Sequence, residues 1–337
     1  MGRKYYLTDF SVKNDYNAGF KAVSDVNQIL ENNGYEPLFL GYDGGKGYLG
    51  KLLISLYCLI IIFLKLKRSD VVFIQYPYNC VHHQIKRLCN GIISIKGGSI
   101  ELLIHDLNSL RFRNITKENN ILLKAKTIIC HTPNMKKYLQ NFGVDNDRIK
   151  ILYLFDYITN SHNTHPTSFG HNVIFAGNLG KSGFISKLHN IHKVKFLLYG
   201  LPQMEFEDNS NVRYMGKFNP NDISDIKGDW GLVWDGDSIE TCDGLIGEYL
   251  AINSSHKLSL YISAQKPVIV WEKSSLKEFI INNHLGISIN SLYEIDKKIE
   301  KITDSEVEQM QESLFQFSNK LKQGAMLTSI INIKDTK

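Results

Sequence analysis

Short runs of β-branched and aromatic residues alternate with longer stretches of helical periodicity along almost the whole chain. In the first half, Lys4–Thr8, Pro37–Leu40, Val71–Gln75, Ile100–Ile104, Thr127–Cys130 and Ile149–Leu152 read as strands. Between the first two, Val23, Val26, Ile29 and Leu30 recur at helical spacing, and Gly34 closes that helix. Tetrads such as VVFI and ELLI are apolar without alternation, as parallel strands covered on both faces are. The pattern pauses at residues 156–172, DYITNSHNTHPTSFGHN, which are polar and nearly free of apolar periodicity. It restarts with strands at Val173–Ala176, Lys195–Tyr199, Val212–Met215, Gly231–Trp234, Val268–Trp271 and Ile287–Ile289, and Phe184, Leu188 and Ile191 share one helical face. The predicted fold class is therefore α/β: two Rossmann-like, doubly wound parallel-sheet domains facing each other across a cleft, with a ligand at the carboxyl ends of the strands. The expected division is a first domain over 1–156, a linker over 157–172, a second domain over 173–310, and a C-terminal helix over 311–337 that can pack back on the first domain. That helix belongs to a polar, amphipathic tail running from Ser305 to about Leu327.

One segment breaks the soluble pattern. Leu52 to Leu64, LLISLYCLIIIFL, is uncharged throughout and flanked by Lys51 and by Lys65, Lys67 and Arg68. A spanning helix needs about 20 apolar residues, so this one is too short to cross a bilayer. The length favours a helix buried on both sides; the alternative is a helix that dips into the membrane interface, held by its basic flanks. Apolar residues make up 43% and charged residues 22% of the 337, a soluble globular balance. The formal charge of +5 is too small for a dedicated nucleic-acid binder. The start, MGRKYYLTDF, lacks the apolar stretch of a secretory signal, and Cys58, Cys80, Cys89, Cys130 and Cys242 form no CxxC pair. Buried thiols in a reducing, cytoplasmic compartment are expected, with peripheral attachment to the inner face of the membrane left open.

Four segments carry candidate chemistry. In FAGNLGKSGF, residues 175–184, a strand runs into a turn with Gly177, Gly180 and Gly183 and then a helix. Glycines admit close approach of a ligand, and a helix N-terminus with Lys181 beside it suits a phosphate. The P-loop spacing is absent, which excludes an NTPase; a tight turn without ligand is the plain alternative. In NSSHKLSLYISAQKPVIVWE, residues 253–272, Asn253, Ser254 or Ser255 can cap a helix with His256 and Lys257 in its first turn. A cation there opposes the helix dipole, which makes sense if an anion sits at that end; otherwise Lys257 faces solvent. In IHDLNSLR, residues 104–111, Asp106 can accept a proton from a hydroxyl and His105 can do the same or orient a phosphate, unless either caps the next helix. In DGDSIETCDG, residues 235–244, Asp235 and Asp237 have the spacing to hold a divalent metal, but such loops are also ordinary turns and the late position argues against metal. His162, His165 and His171 lie in the linker without a supporting shell, so no metal site is expected there. Gly19, in NDYNAGFKAV, lacks the partner glycine of a dinucleotide fingerprint.

Together these segments resemble bacterial glycosyltransferases of the GT-B fold. The nearest likeness is the group containing the glucosyltransferase that extends GlcNAc on serine-rich adhesins and the β-1,6-galactofuranosyltransferases of surface polysaccharide synthesis. NAGFKAV, IHDLNSLR, FAGNLGKS, GLVWDGD and NSSHKLSLYISAQKPVIV carry the resemblance, which spans roughly residues 4–330. It implies an acceptor site in the first domain, a nucleotide-sugar site in the second, a UDP-sugar donor, a saccharide acceptor, and no cofactor or required metal. By the same resemblance Gly177, Asn178 and Lys181 lie beside the diphosphate, with Asn253, His256 and Lys257 opposite. Tyr199, Gly200, Lys217 and Phe218 border the base, Asn17 and Gly19 lie on an acceptor-side loop, and Asp106 activates the acceptor hydroxyl with His105 beside it. The implied activity is transfer of glucose, galactofuranose or galactose in cell-surface polysaccharide or glycoprotein synthesis. An acceptor carried on a lipid diphosphate would suit the basic flanks of Leu52–Leu64. Glu240 and Glu248 have a spacing common in retaining members without the matching context, so stereochemistry leans only weakly to inversion. The competing readings are a metal-dependent transferase using Asp235 and Asp237, and a non-catalytic nucleotide- or sugar-binding partner of a transferase. Self-association as a homo-oligomer is also open.

Overall fold

The structure, a computed structural model, describes residues 2–8, 18–41, 47–77, 83–111, 121–161, 169–205 and 211–333. Its first sheet comprises β1 (Lys4–Thr8), β2 (Glu36–Phe39), β3 (Val71–Tyr76), β4 (Ser99–Ile104), β5 (Thr127–Cys130) and β6 (Ile149–Ile151), in the order β2-β1-β3-β4-β5-β6. The second comprises β7 (Asn172–Asn178), β8 (Lys195–Leu201), β9 (Val212–Gly216), β10 (Trp230–Val233), β11 (Val268–Trp271) and β12 (Gly286–Ile289), in the order β12-β11-β10-β7-β8-β9. Every pairing is parallel. All twelve strands fall within two residues of the segments expected from the pattern.

Strand periodicity of two sorts the first sheet onto two faces. Tyr5, Leu7, Val72, Ile74, Leu102, Ile104, Ile128 and Cys130 point into one core, while Tyr6, Phe73, Leu103 and Ile129 point into the other. The second core receives Val26, Ile29 and Leu30 from the helix Ala18–Asn32 and Leu327 from the end of the chain. The C-terminal tail is two helices rather than one. Asp304–Lys322 stops before Gly324, whose φ of +71° is the left-handed turn that ends a helix, and Ala325–Ile331 then returns to the first domain.

The chain thus passes between the domains twice; the first passage is tied to the first helix, and the second to the first passage. Lys21 and Asp25 form a buried ion pair at 2.6 Å; Lys21 Nζ also donates to the Ile158 carbonyl, and Asp25 accepts the Ile158 N–H at 3.0 Å. Asp156 accepts the N–H groups of Met326 at 2.9 Å and Leu327 at 2.8 Å, capping the last helix. Burial pushes the Asp25 carboxyl up to about 6 and that of Asp156 up to about 7.

The expectation that Leu52–Leu64 is buried on both sides fails. The helix runs Tyr48–Lys65 and buries only Ser55, Cys58, Leu59 and Ile62 against the first domain. Leu49, Leu53, Tyr57, Ile60 and Leu64 are each more than half exposed. The helix covers the edge of the sheet at β2, and no described part of the chain lies over its other side. Cys58, Cys89, Cys130 and Cys242 are buried free thiols; Cys80 lies outside the described residues.

Candidate active site

In each sheet the strand order reverses at one point, between β1 and β3 and between β7 and β10. Such switch points open a crevice at the carboxyl ends of the strands. Residues from both crevices line one cleft of about 730 Å³. Thr8, Gln75, Pro77, His105 and Asp106 come from the ends of β1, β3 and β4; Asn178, Lys181, Asp235 and residues 253–257 come from the second domain.

The cleft therefore gathers His105, Asp106, Asn178, Lys181, Asn253, His256 and Lys257 from the expected set. Tyr199, Gly200, Lys217 and Phe218 do not line it. Tyr199 is buried, its hydroxyl accepts the Lys227 N–H at 2.9 Å, and its ring meets Phe218 edge-on at 6.0 Å. Gly200 has φ +140°, and a Cβ there would lie 1.8 Å from the Gly177 carbonyl oxygen, so this glycine serves strand packing. Asn17 lies outside the described residues, as do His162 and His165; Gly19 falls in the helix Ala18–Asn32, whose Phe20, Ala22 and Val23 reach the cleft.

Asp106 is half-buried, with its Oδ2 taking an Arg111 Nη1 hydrogen bond at 2.7 Å and its Oδ1 facing Asn253 Nδ2 at 3.5 Å. Burial raises its pKa; Arg111 and a hydrogen bond from Tyr249 pull the other way. A carboxylate made more basic suits proton abstraction. His105 suits it less. Its Nε2 lies 2.7 Å from Gln75 Oε1, and because Gln75 Nε2 donates to Asn27 at 2.8 Å, the imidazole is the donor. Its ring stacks on Phe155 at 5.1 Å, and burial takes its pKa down to about 3. His131 and His256 contact the same phenyl ring, and burial lowers them to about 4 and 3. All three are neutral at pH 7. The His256 Nε2 and Ser254 Oγ atoms are buried without a hydrogen-bond partner among the described residues, and both residues line the cleft. Unpaired polar atoms of this kind suit a hydroxyl-rich ligand.

On the opposite wall Ser255 caps the helix His256–Ser263, its Oγ accepting the Lys257 N–H at 3.4 Å. Lys257 Nζ sits 3.1 and 3.2 Å from the two Asp235 oxygens and 4.8 Å from the centre of the Phe175 ring. A Cβ on Gly177 would come within 3.0 Å of Lys257 Cε, so that glycine leaves room for the lysine stem. Lys257 thus does not stand as the unpaired cation expected at this helix start. The Asp235 carboxylate is engaged by an ammonium, and the Asp237 N–H donates to Asp243 Oδ1 at 2.7 Å. The described residues contain no group of three metal-ligating side chains. After β7 the chain forms 3₁₀ turns, Leu179–Lys181 and Gly183–Asn190, not the expected α-helix. Three residues per turn stack Ile185 over Leu188, both buried, and Lys181 is left exposed at the cleft.

Sequence reasoning missed the seam that joins the walls. His131 Nδ1 lies 2.7 Å from Asn253 Oδ1, Thr132 Oγ1 donates to the Ile252 carbonyl, Asn134 Nδ2 donates to the Ala251 carbonyl at 2.9 Å, and the Leu107 N–H donates to Tyr249 Oη at 2.8 Å. The one local signal was Thr132-Pro133, a helix-start signature; Thr132 caps that helix by accepting the Met135 N–H at 3.1 Å.

Opposed strand ends, a basic carboxylate on one wall and lysines on the other meet the needs of sugar transfer, and the two-sheet frame is that of the GT-B fold. The chain is a glycosyltransferase of this class. It belongs to the glucosyltransferase 3-like family, whose N-terminal domain matches residues 4–154 and whose C-terminal domain matches residues 173–333. It is 30% identical over 334 residues, 97% of each chain, to the β-1,6-galactofuranosyltransferase WbbI of Escherichia coli K12. It is 28% identical over 263 residues, 76% of each chain, to glucosyltransferase 3 of Streptococcus gordonii. Among solved structures it shares the fold of Anabaena HepE in complex with UDP and glucose, with a TM-score of 0.58 at 13% identity, covering 98% of this chain and 100% of that one.

Proposed function

We propose that this hexosyltransferase moves glucose, galactofuranose or galactose from a UDP-sugar to a saccharide hydroxyl, without a metal ion. The observation that carries the reading is the opposition, within one cleft, of Asp106 held by Arg111 to Lys181 and Lys257. Asp106 takes the proton of the acceptor hydroxyl as its oxygen bonds to the anomeric carbon, and the bond from that carbon to the diphosphate breaks. Lys181, Lys257 and the His256 N–H at the start of the helix meet the charge released on the diphosphate, the work a metal would otherwise do. Asp235 keeps Lys257 extended toward that position. The names of the relatives support a hexosyl donor, and HepE, which shares the fold, is solved with UDP and glucose. The acceptor is a saccharide of cell-surface polysaccharide or glycoprotein synthesis; one carried on a lipid diphosphate would suit the exposed apolar helix Tyr48–Lys65.

Thermal-shift titration with UDP, GDP and ADP, each with and without EDTA, tests the donor. A ligand at about 100 times its Kd adds about 2.7 kcal/mol of stability, a shift of several degrees. Selective stabilisation by UDP that survives EDTA, followed by EDTA-resistant UDP release from one of the three UDP-sugars, is expected. Stabilisation abolished by EDTA would transfer the site to Asp235 and Asp237, and no response to any nucleotide would favour a non-catalytic partner.

A further inference from the structure

The geometry points to a second working surface, distinct from the cleft and independent of the reaction assigned to it: the outer face of helix Tyr48–Lys65 is a docking face for an anionic bilayer. Leu49, Leu53, Leu56, Ile60 and Phe63 follow one another at alternating spacings of four and three, with Tyr57 and Leu64 beside them. All seven are exposed, Leu49 and Leu64 at 68%. They fill one unbroken arc of the helix without a charged side chain, over a length of about 23 Å. On the adjoining helix, His83–Ile95, Leu88 and Ile95 are exposed as well, and Lys96 places its ammonium 4.0 Å from the centre of the Phe63 ring. Solvent-facing apolar surface of this extent marks an interaction site.

Charge identifies what covers it. Residues 47–100 contain seven Lys and Arg against a single acidic residue, Asp70, while the whole chain carries only +5. The positive excess of the protein therefore resides in the segment that bears the apolar face. Asp70 is buried and spends its carboxylate on the N–H groups of Arg3 and Lys67, each at 2.8 Å, so it neutralises nothing outside. Lys65, Lys67, Arg68 and Arg87 are exposed. A second copy laid against this helix would bring Lys51 and the Lys65–Arg68 cluster against cations in either orientation, with no carboxylate to pair them. Acidic lipid headgroups supply that countercharge while the acyl region takes the leucines. The helix lies in the membrane plane and does not span, because Ser55, Cys58, Leu59 and Ile62 remain packed in the domain core. It begins just after β2, where Leu40 lines the cleft and Gly41 abuts Ser55, so the docked face starts beside the cleft mouth.

Sedimentation of the full chain with vesicles tests this, comparing pure phosphatidylcholine with vesicles containing about 30% phosphatidylglycerol. Binding to the anionic vesicles alone is expected, falling as salt rises from about 0.1 to 0.5 M. Leu53→Glu and Ile60→Glu should each lower the bound fraction roughly tenfold or more, and the pair Lys67→Glu/Arg68→Glu should remove the dependence on anionic lipid. These side chains face outward, so melting temperature and UDP binding should match the parent and show that each variant is folded. Equal binding to both vesicle types, no binding, or binding untouched by Ile60→Glu would overturn the inference. Absence of vesicle binding with a dimer that Ile60→Glu converts to monomer would assign the face to a second copy. UDP-sugar turnover on a soluble acceptor, measured with the same variants, is expected unchanged and separates failure here from failure of the proposed reaction.

Discussion

Asn253→Ala removes one amide on which two domains converge. Asn253 Oδ1 must be the acceptor toward His131, because the reversed amide would set Oδ1 against the Asp106 carboxylate, two acceptors face to face. His131 Nδ1 is then an N–H buried at the seam, and without Asn253 it loses its partner. An unsatisfied buried donor costs about 1–3 kcal/mol, a factor of roughly 5 to 150 against the closed arrangement of the walls. The 3.5 Å contact to Asp106 is too long to add much energy, but it orients the carboxylate. The expected result is a kcat lowered within that range while the affinity for UDP, measured by calorimetry, is retained. Asn253→Asp is the companion: it keeps an acceptor for His131 but sets a negative charge beside Asp106, which raises that carboxyl further and moves the acid limb of the pH–rate profile upward. Wild-type kcat in Asn253→Ala with an unmoved pH profile would refute the coupling. A loss confined to UDP affinity would instead return Asn253 to the diphosphate, where the family resemblance had put it.

Three other outcomes follow from the same geometry. Asp106→Asn should lower kcat by about 10²–10⁴ with UDP binding intact, and should erase the acid limb that Asp106 sets above the ordinary carboxylate range; a retained limb would assign it to another group. Asp156, held near 7 when folded, binds a proton that the unfolded chain releases near 4, so its contribution to stability is complete below about pH 4 and lost as pH rises through 7. Urea unfolding across that window should show stability declining with pH, and less steeply in Asp156→Asn; equal slopes would exclude Asp156 as the source. Gly200→Ala must separate two strands to clear a 1.8 Å contact and also hold a side chain at φ +140°, so a loss of roughly 3 kcal/mol or more is expected in its thermal unfolding.

The strands were legible because they are doubly covered: a run such as VVFI or VIVW is apolar at every position and bounded by turns, so its place needs no knowledge of its neighbours. The same uniformity misled the reading of helix Tyr48–Lys65. With no polar stripe, periodicity cannot say which side is covered, and only the edge position of β2 decides it. His105 and Asp106 line the cleft as expected because a residue just past a buried strand of a doubly wound sheet has one place to go. Tyr199 was misplaced because β8 runs on to Leu201: it lies within the strand, where alternation turns its ring into the core and the backbone of Lys227, distant in sequence, satisfies the hydroxyl. The His131–Asn253 contact joins residues 122 apart on different domains, and no local pattern encodes such a meeting.

That meeting also explains why the segment from Tyr249 to Lys257 reads oddly as an isolated helix start. Tyr249, Ala251, Ile252 and Asn253 spend their polar groups on the first domain, while Ser255 and Lys257 face the second domain's strand ends through the helix cap and Asp235. A lysine in the first turn opposes the dipole of its own helix, yet Asp235 and the Phe175 ring hold it there. One short stretch thereby makes contacts with both walls of the cleft. Hydrolysis of UDP-sugar in the absence of acceptor should then rise relative to transfer in Asn253→Ala, since the loosened seam admits water where the closed one admits only the acceptor hydroxyl. An unchanged ratio of hydrolysis to transfer would separate the two walls.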